Sequence, residues 1–265
     1  MPRILQISDL HVVAPPKLVS GRVDTRAAVA RAVMQITRIL PQIAPVDLLL
    51  ITGDLTDDGR VADYDTLKAL LAPLSLQLAV IPGNHDRREA LRTAFFEIAE
   101  LPVRGPIQWS RDLGAIRLIG LDTLVEGQPG GRLGPEALDW LTARLAEAPG
   151  QPAMVALHHP PFPTGIGFMD AIGLQDANDL VQVLDRHDAE TRVICGHVHR
   201  FITGMTGGRV AVIAPSTAHA VAADYRDDAP VGFVDSPPGM LLHDWAGTFR
   251  STWISCTRED GPWPF

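Results

Sequence analysis

The chain has 265 residues, 46% of them hydrophobic, and a formal net charge of −8, so there is ample apolar material for a buried core and disorder is excluded as a default. The acidic balance, with a pI near 5.5, speaks against polymeric nucleic acid or an anionic membrane surface as a partner, since both attract basic proteins. Two cysteines do not make a disulfide framework, no stretch approaches the roughly 20 apolar residues that span a bilayer, and Met1-Pro2-Arg3 opens directly onto an apolar run. The expectation is a soluble, cytoplasmic protein.

Ile4–Ile7 reads as a first strand and Asp24–Leu40 as an amphipathic helix, with Val29, Val33, Ile36 and Leu40 on one face and Pro41 as its stop. Strands follow at Leu48–Ile51, Leu78–Ile81, Met154–Leu157 and Arg192–Cys195, and helices at Val61–Leu71, Arg87–Leu101, Pro135–Ala148 and Asp176–His187. Strands alternating with helices imply parallel pairing. Hairpins interrupt this order: Trp109–Leu113 with Ile116–Leu121, Phe201–Met205 with Val210–Ile213 across Gly207-Gly208, and Met240–Trp245 with Phe249–Ser255. The mixture predicts an α/β fold, a four-layer α/β/β/α sandwich of two mixed sheets flanked by helices. It is read as one domain, 1–265, whose segment from about 224 to 265 is partly irregular.

Five of these strands run straight into short groups of metal-type ligands. They are Asp9-Leu10-His11, Gly53-Asp54, Gly83-Asn84-His85-Asp86, His158-His159 and Gly196-His197-Val198-His199. Ligand sites in open α/β sheets gather beyond the carboxyl ends of strands, so the five groups converge on one crevice. Two divalent metals about 3.5–4 Å apart clamp a phosphoryl group and generate hydroxide at neutral pH. Such a pair needs a bridging carboxylate, for which Asp54 after Gly53 is the natural candidate. Asp9 and His11, two apart, reach one metal together, and His197 and His199 share that spacing. The amide of Asn84 is a neutral hard ligand. His85 stands beside the metals as a group that stabilises phosphoryl charge or protonates the leaving alkoxide, with Asp86 holding its tautomer.

The constellation resembles the calcineurin-like metallophosphoesterase superfamily, over residues 9–199. The resemblance implies Asp9, His11, Asp54 and His199 on a first metal, Asp54, Asn84, His158 and His197 on a second, and His85 as the catalytic histidine outside the coordination shell. Mixed His, Asp and Asn ligation suits Fe²⁺, Mn²⁺, Zn²⁺ or Co²⁺. Protein phosphatases of the superfamily carry Asp-Arg-Gly where this chain has Asp57-Asp58-Gly59, which removes a phosphate clamp suited to monoesters. The chain instead resembles the bacterial phosphodiesterase branch, and His158-His159-Pro160-Pro161 belongs to that likeness. Met169-Asp170, the run Pro215–His219 and Gly261-Pro262-Trp263 are similar to its glycerophosphodiesterase member. Two M²⁺ ions with Asp9, Asp54 and one hydroxide leave about +1 at the centre, a match for a diester monoanion. The implied activity is hydrolysis of a small phosphodiester by direct attack of metal-bound hydroxide. A cyclic nucleotide (3′,5′-cAMP or 2′,3′-cAMP) is placed ahead of a glycerophosphodiester. A metal-dependent phosphometabolite sensor without turnover is the non-enzymatic alternative.

Some residues carry plainer readings. His159 is expected beside the centre rather than in it, His187 and His243 as structural, and His219 either in the substrate pocket with Asn84 and His85 or at the surface. Arg87 and Arg88 are expected as solvated first-turn residues or as phosphate-steering charge. The C-terminal aromatics Trp245, Trp253, Trp263 and Phe265 are core residues or a homo-oligomer contact.

Overall fold

The central strands are continuous apolar runs whose successive side chains point to opposite faces, so both faces must be covered, and that decides the layering. In the computed structural model, which describes residues 1–261, 263 and 264, the first half runs β1 (Arg3–Ile7), α1 (Thr25–Ile43), β2 (Leu48–Thr52), α2 (Val61–Leu71), β3 (Leu78–Ile81) and α3 (Arg88–Ala94). Then come β4 (Trp109–Asp112), β5 (Arg117–Gly120), α4 (Gly134–Ala146), β6 (Ala153–Ala156), α5 (Gly167–Asp170), α6 (Ala177–Leu184) and β7 (Thr191–Cys195). The chain ends with β8 (Ile202–Thr206), β9 (Arg209–Ile213), β10 (Ala220–Val221), β11 (Phe233–Val234), β12 (Gly239–Trp245) and β13 (Phe249–Ser255). Pro262 and Phe265, which the sequence reading includes in its C-terminal motif and aromatic set, lie outside the described residues.

Two large mixed sheets result, ordered β13-β12-β1-β2-β3 and β4-β5-β6-β7-β9-β8. Pairing is parallel along β1-β2-β3 and along β5-β6-β7-β9, and the three expected hairpins supply the antiparallel strands. Ile4, Leu48, Leu50, Met154, Ala156 and Ile194 meet between the sheets, whereas Leu5, Ile7, Leu49 and Ile51 face α1 to α3 and Val155, Val193 and Cys195 face α4 to α6. The architecture is the four-layer α/β/β/α sandwich. Among the described residues no helix is long and apolar enough to cross a membrane.

Two helix boundaries differ from expectation. Pro41 does not stop α1, which continues to Ile43 and closes with Ala44 N–H donating to the Leu40 carbonyl at 2.9 Å. So near the C-terminus the proline forfeits one helical bond and the ring is tolerated. Conversely, α3 stops at Ala94 instead of reaching Leu101. Tighter turns then turn Phe95 and Ile98 into the helix-side core, Phe95 lying edge-on to Tyr64 at 6.5 Å. Burial of those two side chains overrides the helical pattern.

Candidate metal centre

All five ligand groups leave strand ends of the two sheets on one side. Among the described residues six non-glycine residues have positive φ, and five of them are predicted ligands: Asp9 (53°), His11 (46°), Asp54 (48°), His197 (75°) and His199 (57°). Left-handed backbone costs a non-glycine residue on the order of 1–3 kcal/mol, and here it turns alternate side chains inward while Leu10 and Val198 between them are buried in the cores. Backbone bonds hold these turns together, Asp9 N–H to the Gly53 carbonyl at 3.1 Å and His11 N–H to the Asp54 carbonyl at 3.0 Å. The sheets meet where His197 N–H donates to both Asp9 carboxylate oxygens, at 2.9 and 3.1 Å. A side chain at Gly196 would collide with Ser8 Oγ, and one at Gly83 with the Asp54 carboxylate, so both glycines are close-approach positions.

Ligand atoms of Asp9, His11, Asp54 and His199, all buried, lie within 4.8 Å of one another, a grouping identical to the expected first set. Asp54 is the hinge to the second. Its Oδ1 accepts His85 N–H at 2.8 Å, and its Oδ2 lies 3.4 Å from His11 Nε2 and 3.3 Å from His158 Nε2. His158 Nε2 is 3.2 Å from Asn84 Oδ1, and its Nδ1 donates to the Thr52 carbonyl at 2.8 Å. Among the described residues His197 Nε2 is buried without a hydrogen-bond partner. His11 Nε2 and His199 Nε2 face each other at 3.1 Å, and His11 Nδ1 and His199 Nδ1 are held by Asp57 Oδ1 at 3.0 Å and the His219 carbonyl at 3.2 Å. Lone-pair atoms converging on common points, their outer nitrogens fixed from behind, form a donor set that suits divalent cations.

The electrostatics follow. Burial pushes His197 and His199 well below the usual imidazole range, aided by neighbouring histidines, so both are neutral donors. Burial acts the same way on His158 but loses to the Asp54 and Asp9 carboxylates, which raise it to about 9. Burial lifts Asp9 to about 6. On Asp54 the burial effect is overcome by the charges of His158 and His85, and its carboxyl is held well below the ordinary range.

His85 side chain is 40% exposed and its ring lies edge-on to His11 at 4.6 Å. Its Nδ1 donates to the Asp57 backbone carbonyl at 2.8 Å. Asp86 does not hold it: the buried Asp86 carboxylate accepts from the N–H groups of Leu55, Thr56 and Gly83 and the hydroxyls of Thr56 and Tyr64, tying the loops after β2 and β3 together. Adjacent residues leave a tight turn in divergent directions, so the orienting group comes from another loop. That group, Asp57, was missed as a site residue, although its place three residues after Asp54 was a usable signal.

His159 packs 4.5 Å from the His197 ring and 4.9 Å from His158. Its Nδ1 meets Thr123 Oγ1 at 2.8 Å and its Nε2 donates to the Pro129 carbonyl at 3.2 Å. With both nitrogens engaged and its pKa pushed to about 3 by burial, it is a wall of the centre. His219 is buried beside it, 4.7 Å from the His199 ring and 5.0 Å from Phe233, with Nδ1 unpartnered among the described residues. Arg88 fits neither expectation, because its guanidinium makes a two-bond fork on buried Asp122 at 2.6 and 2.9 Å. Arg87 donates to the Asp86 carbonyl at 3.0 Å. His187 bonds the Gln151 carbonyl at 3.0 Å.

The calcineurin-like phosphoesterase family model matches residues 2–201. The chain belongs to that family. This phosphoesterase is 33% identical to a probable glycerophosphodiester phosphodiesterase, GpdQ, of Arcobacter nitrofigilis, over 99% of this chain and 96% of that protein. It is 32% identical to the 3′,5′-cyclic adenosine monophosphate phosphodiesterase CpdA of Escherichia coli K12, over 81% of this chain and 76% of that one. In fold, the phosphoesterase is similar to a dimetal phosphatase from Danio rerio, with a TM-score of 0.65, 14% identity, and coverage of 97% of this chain and 99% of the other.

Proposed function

We propose that this protein is a binuclear metal-dependent phosphodiesterase acting on small phosphodiesters. One observation carries the reading: Asp54 Oδ2 faces both donor sets, 3.4 Å from His11 and 3.3 Å from His158. Asp9, His11, Asp54 and His199 would hold one divalent metal, and Asp54, Asn84, His158 and His197 the other. Bound there, the pair supplies Lewis-acid polarisation of the phosphoryl group and a nucleophile at neutral pH. The protein's own part is positional and electrostatic. With Nδ1 fixed by the Asp57 carbonyl, His85 presents Nε2 to carry the proton for the leaving alkoxide or to stabilise phosphoryl charge. His219 would line the pocket wall next to Asn84 and His85.

Charge favours a diester. Two cations beside the Asp57-Asp58 loop are already matched by an acid: Lys17 Nζ lies 2.5 Å from Asp58 and Arg60 3.7 Å from the same carboxylate. Asp57 adds a further negative charge, its pKa lowered because the bond and charge of His11 overcome its burial. A monoanionic diester suits that balance better than a dianionic monoester. A glycerophosphodiester is the favoured substrate, because the likeness to GpdQ extends through the C-terminal hairpin, over 99% of the chain. A cyclic nucleotide, placed first on sequence grounds, is the second reading, supported by the likeness to CpdA.

The test is kcat/KM for glycerophosphoethanolamine, 3′,5′-cAMP and 2′,3′-cAMP on Mn²⁺-loaded protein. A tenfold preference, about 1.4 kcal/mol of transition-state stabilisation, assigns the substrate. Binding without release of product from bis(p-nitrophenyl) phosphate or any of the three would defeat the enzymatic reading and leave a sensor.

A further inference from the structure

Between the two sheets, a layer otherwise filled by apolar side chains, runs an ordered line of polar groups that ends at the metal centre. Gln6 and Thr52 face this layer by strand alternation, as does His243 of β12, and all three are fully buried. Gln6 Nε2 donates to Thr52 Oγ1 at 2.8 Å and to the Cys195 carbonyl at 3.0 Å. Gln6 Oε1 lies 2.7 Å from His243 Nε2, and His243 Nδ1 lies 2.8 Å from Ser251 Oγ on β13. Arg192 Nη1 donates to that Ser251 oxygen at 3.1 Å.

The direction of every bond is fixed by what each atom can do. An amide oxygen only accepts, so His243 Nε2 carries the hydrogen. His243 Nδ1 is then the acceptor of the Ser251 hydroxyl hydrogen, whose oxygen takes the Arg192 bond. Burial, with Arg192 adding to it, pushes the His243 pKa down to about 3, consistent with a neutral ring of this single tautomer. Both amide hydrogens of Gln6 are committed, one to each sheet.

The two acceptors at the end of this line stand in telling places. Thr52 ends β2 and precedes Gly53-Asp54, and its carbonyl fixes His158. Cys195 ends β7 and precedes Gly196-His197. Three of the four donors of the second set, Asp54, His158 and His197, therefore hang on the two strand ends that Gln6 joins, whereas in the first set Asp9 and His11 leave β1, and His199, two residues beyond His197, is held from behind by the His219 carbonyl. We propose that Gln6 is a positioning residue for the second metal, fixing the separation of the β2 and β7 ends, and that the C-terminal hairpin locks Gln6 in place through His243 and Ser251. The inference rests on the binuclear reading above.

A purely structural polar network would, when cut, lower stability and leave the two metals' relative affinities alone. The proposal requires selective weakening of one. Stripped full-length protein is titrated with Mn²⁺ by calorimetry, using Asn84→Ala to identify which binding event belongs to the second site. Thr52→Val removes one hydroxyl at constant shape and should weaken that site by about tenfold or more, the range for groups that orient metal ligands, with a much smaller change at the first. Thr52→Ser should recover most of the loss. Gln6→Leu should show the same selectivity more strongly, and Ser251→Ala more weakly. Should Gln6→Leu fail to fold, the threonine pair still decides. Equal weakening of both sites, or wild-type affinities accompanied only by a lower Tm, would overturn the proposal. A wild-type protein that takes up fewer than two ions would instead remove the binuclear reading itself, and this inference with it.

Discussion

The two sheets make their halves of the centre with the same device and different chemistry. At the end of β1, Asp9 and His11 flank buried Leu10; at the end of β7, His197 and His199 flank buried Val198; all four flanking residues have positive φ. In each turn the middle residue anchors the loop in its own sheet's helix-side core and its neighbours are driven inward. Yet the carboxylates, Asp9, Asp54, Asp57 and Asp86, come entirely from the first sheet's loops, whereas the second sheet supplies imidazoles alone: His158, His159, His197 and His199. Geometry is thus shared and charge divided. The first half carries the field; in the second, burial keeps His197 and His199 neutral, while the Asp54 and Asp9 carboxylates hold a proton on His158.

Removing the shared carboxylate should break the comparison most severely. Asp54→Asn is expected to abolish uptake of both metals and to lower turnover below that of any other variant named here, with metal content read by elemental analysis; two ions retained would contradict the bridging assignment. His85→Ala should leave both metals bound and reduce kcat by roughly 10²–10⁴-fold, the range for loss of a general acid. Unchanged turnover at full loading would remove that role. Asp57→Asn tests the outer support of the first half: because its carboxylate holds His11 Nδ1 at 3.0 Å, affinity for the first metal should fall about 10–100-fold with the second less affected, as measured by Mn²⁺ titration.

The smallest effect sharpens the division of charge. His158 is raised from 6.5 to about 9, so in the metal-free fold it is protonated at pH 7, and its interaction with Asp54 stabilises that fold fully below pH 6.5 and fades as pH rises through about 9. Metal must displace that proton. Calorimetry in buffers of different ionisation enthalpy should therefore show proton release on metal uptake at pH 7 that diminishes towards pH 10. Release independent of pH across that window would assign the protons elsewhere.

Much of this was legible because it is local. Short continuous apolar runs such as Leu48–Ile51 name strands buried on both faces, and ligand groups directly after them follow the chain out of the sheet. The exceptions are places where a distant partner outbids the local pattern. Phe95 and Ile98 leave the helical pattern for a core made by α1 and α2, and Arg88 abandons solvent for Asp122, which is 34 residues away in sequence.

The sequence by itself determined the layer architecture, the order of the ligand groups and which side chains have lone pairs to offer a metal. Only the tertiary structure decided that Asp57 rather than Asp86 orients His85, that His159 walls the centre, and that His243 reaches Gln6 across 237 residues. Residue type and spacing fix what a side chain can donate and which face of its strand it takes. Hydrogen-bond partners are chosen by how the two sheets stack, and the stacking is set by all the apolar residues between them at once.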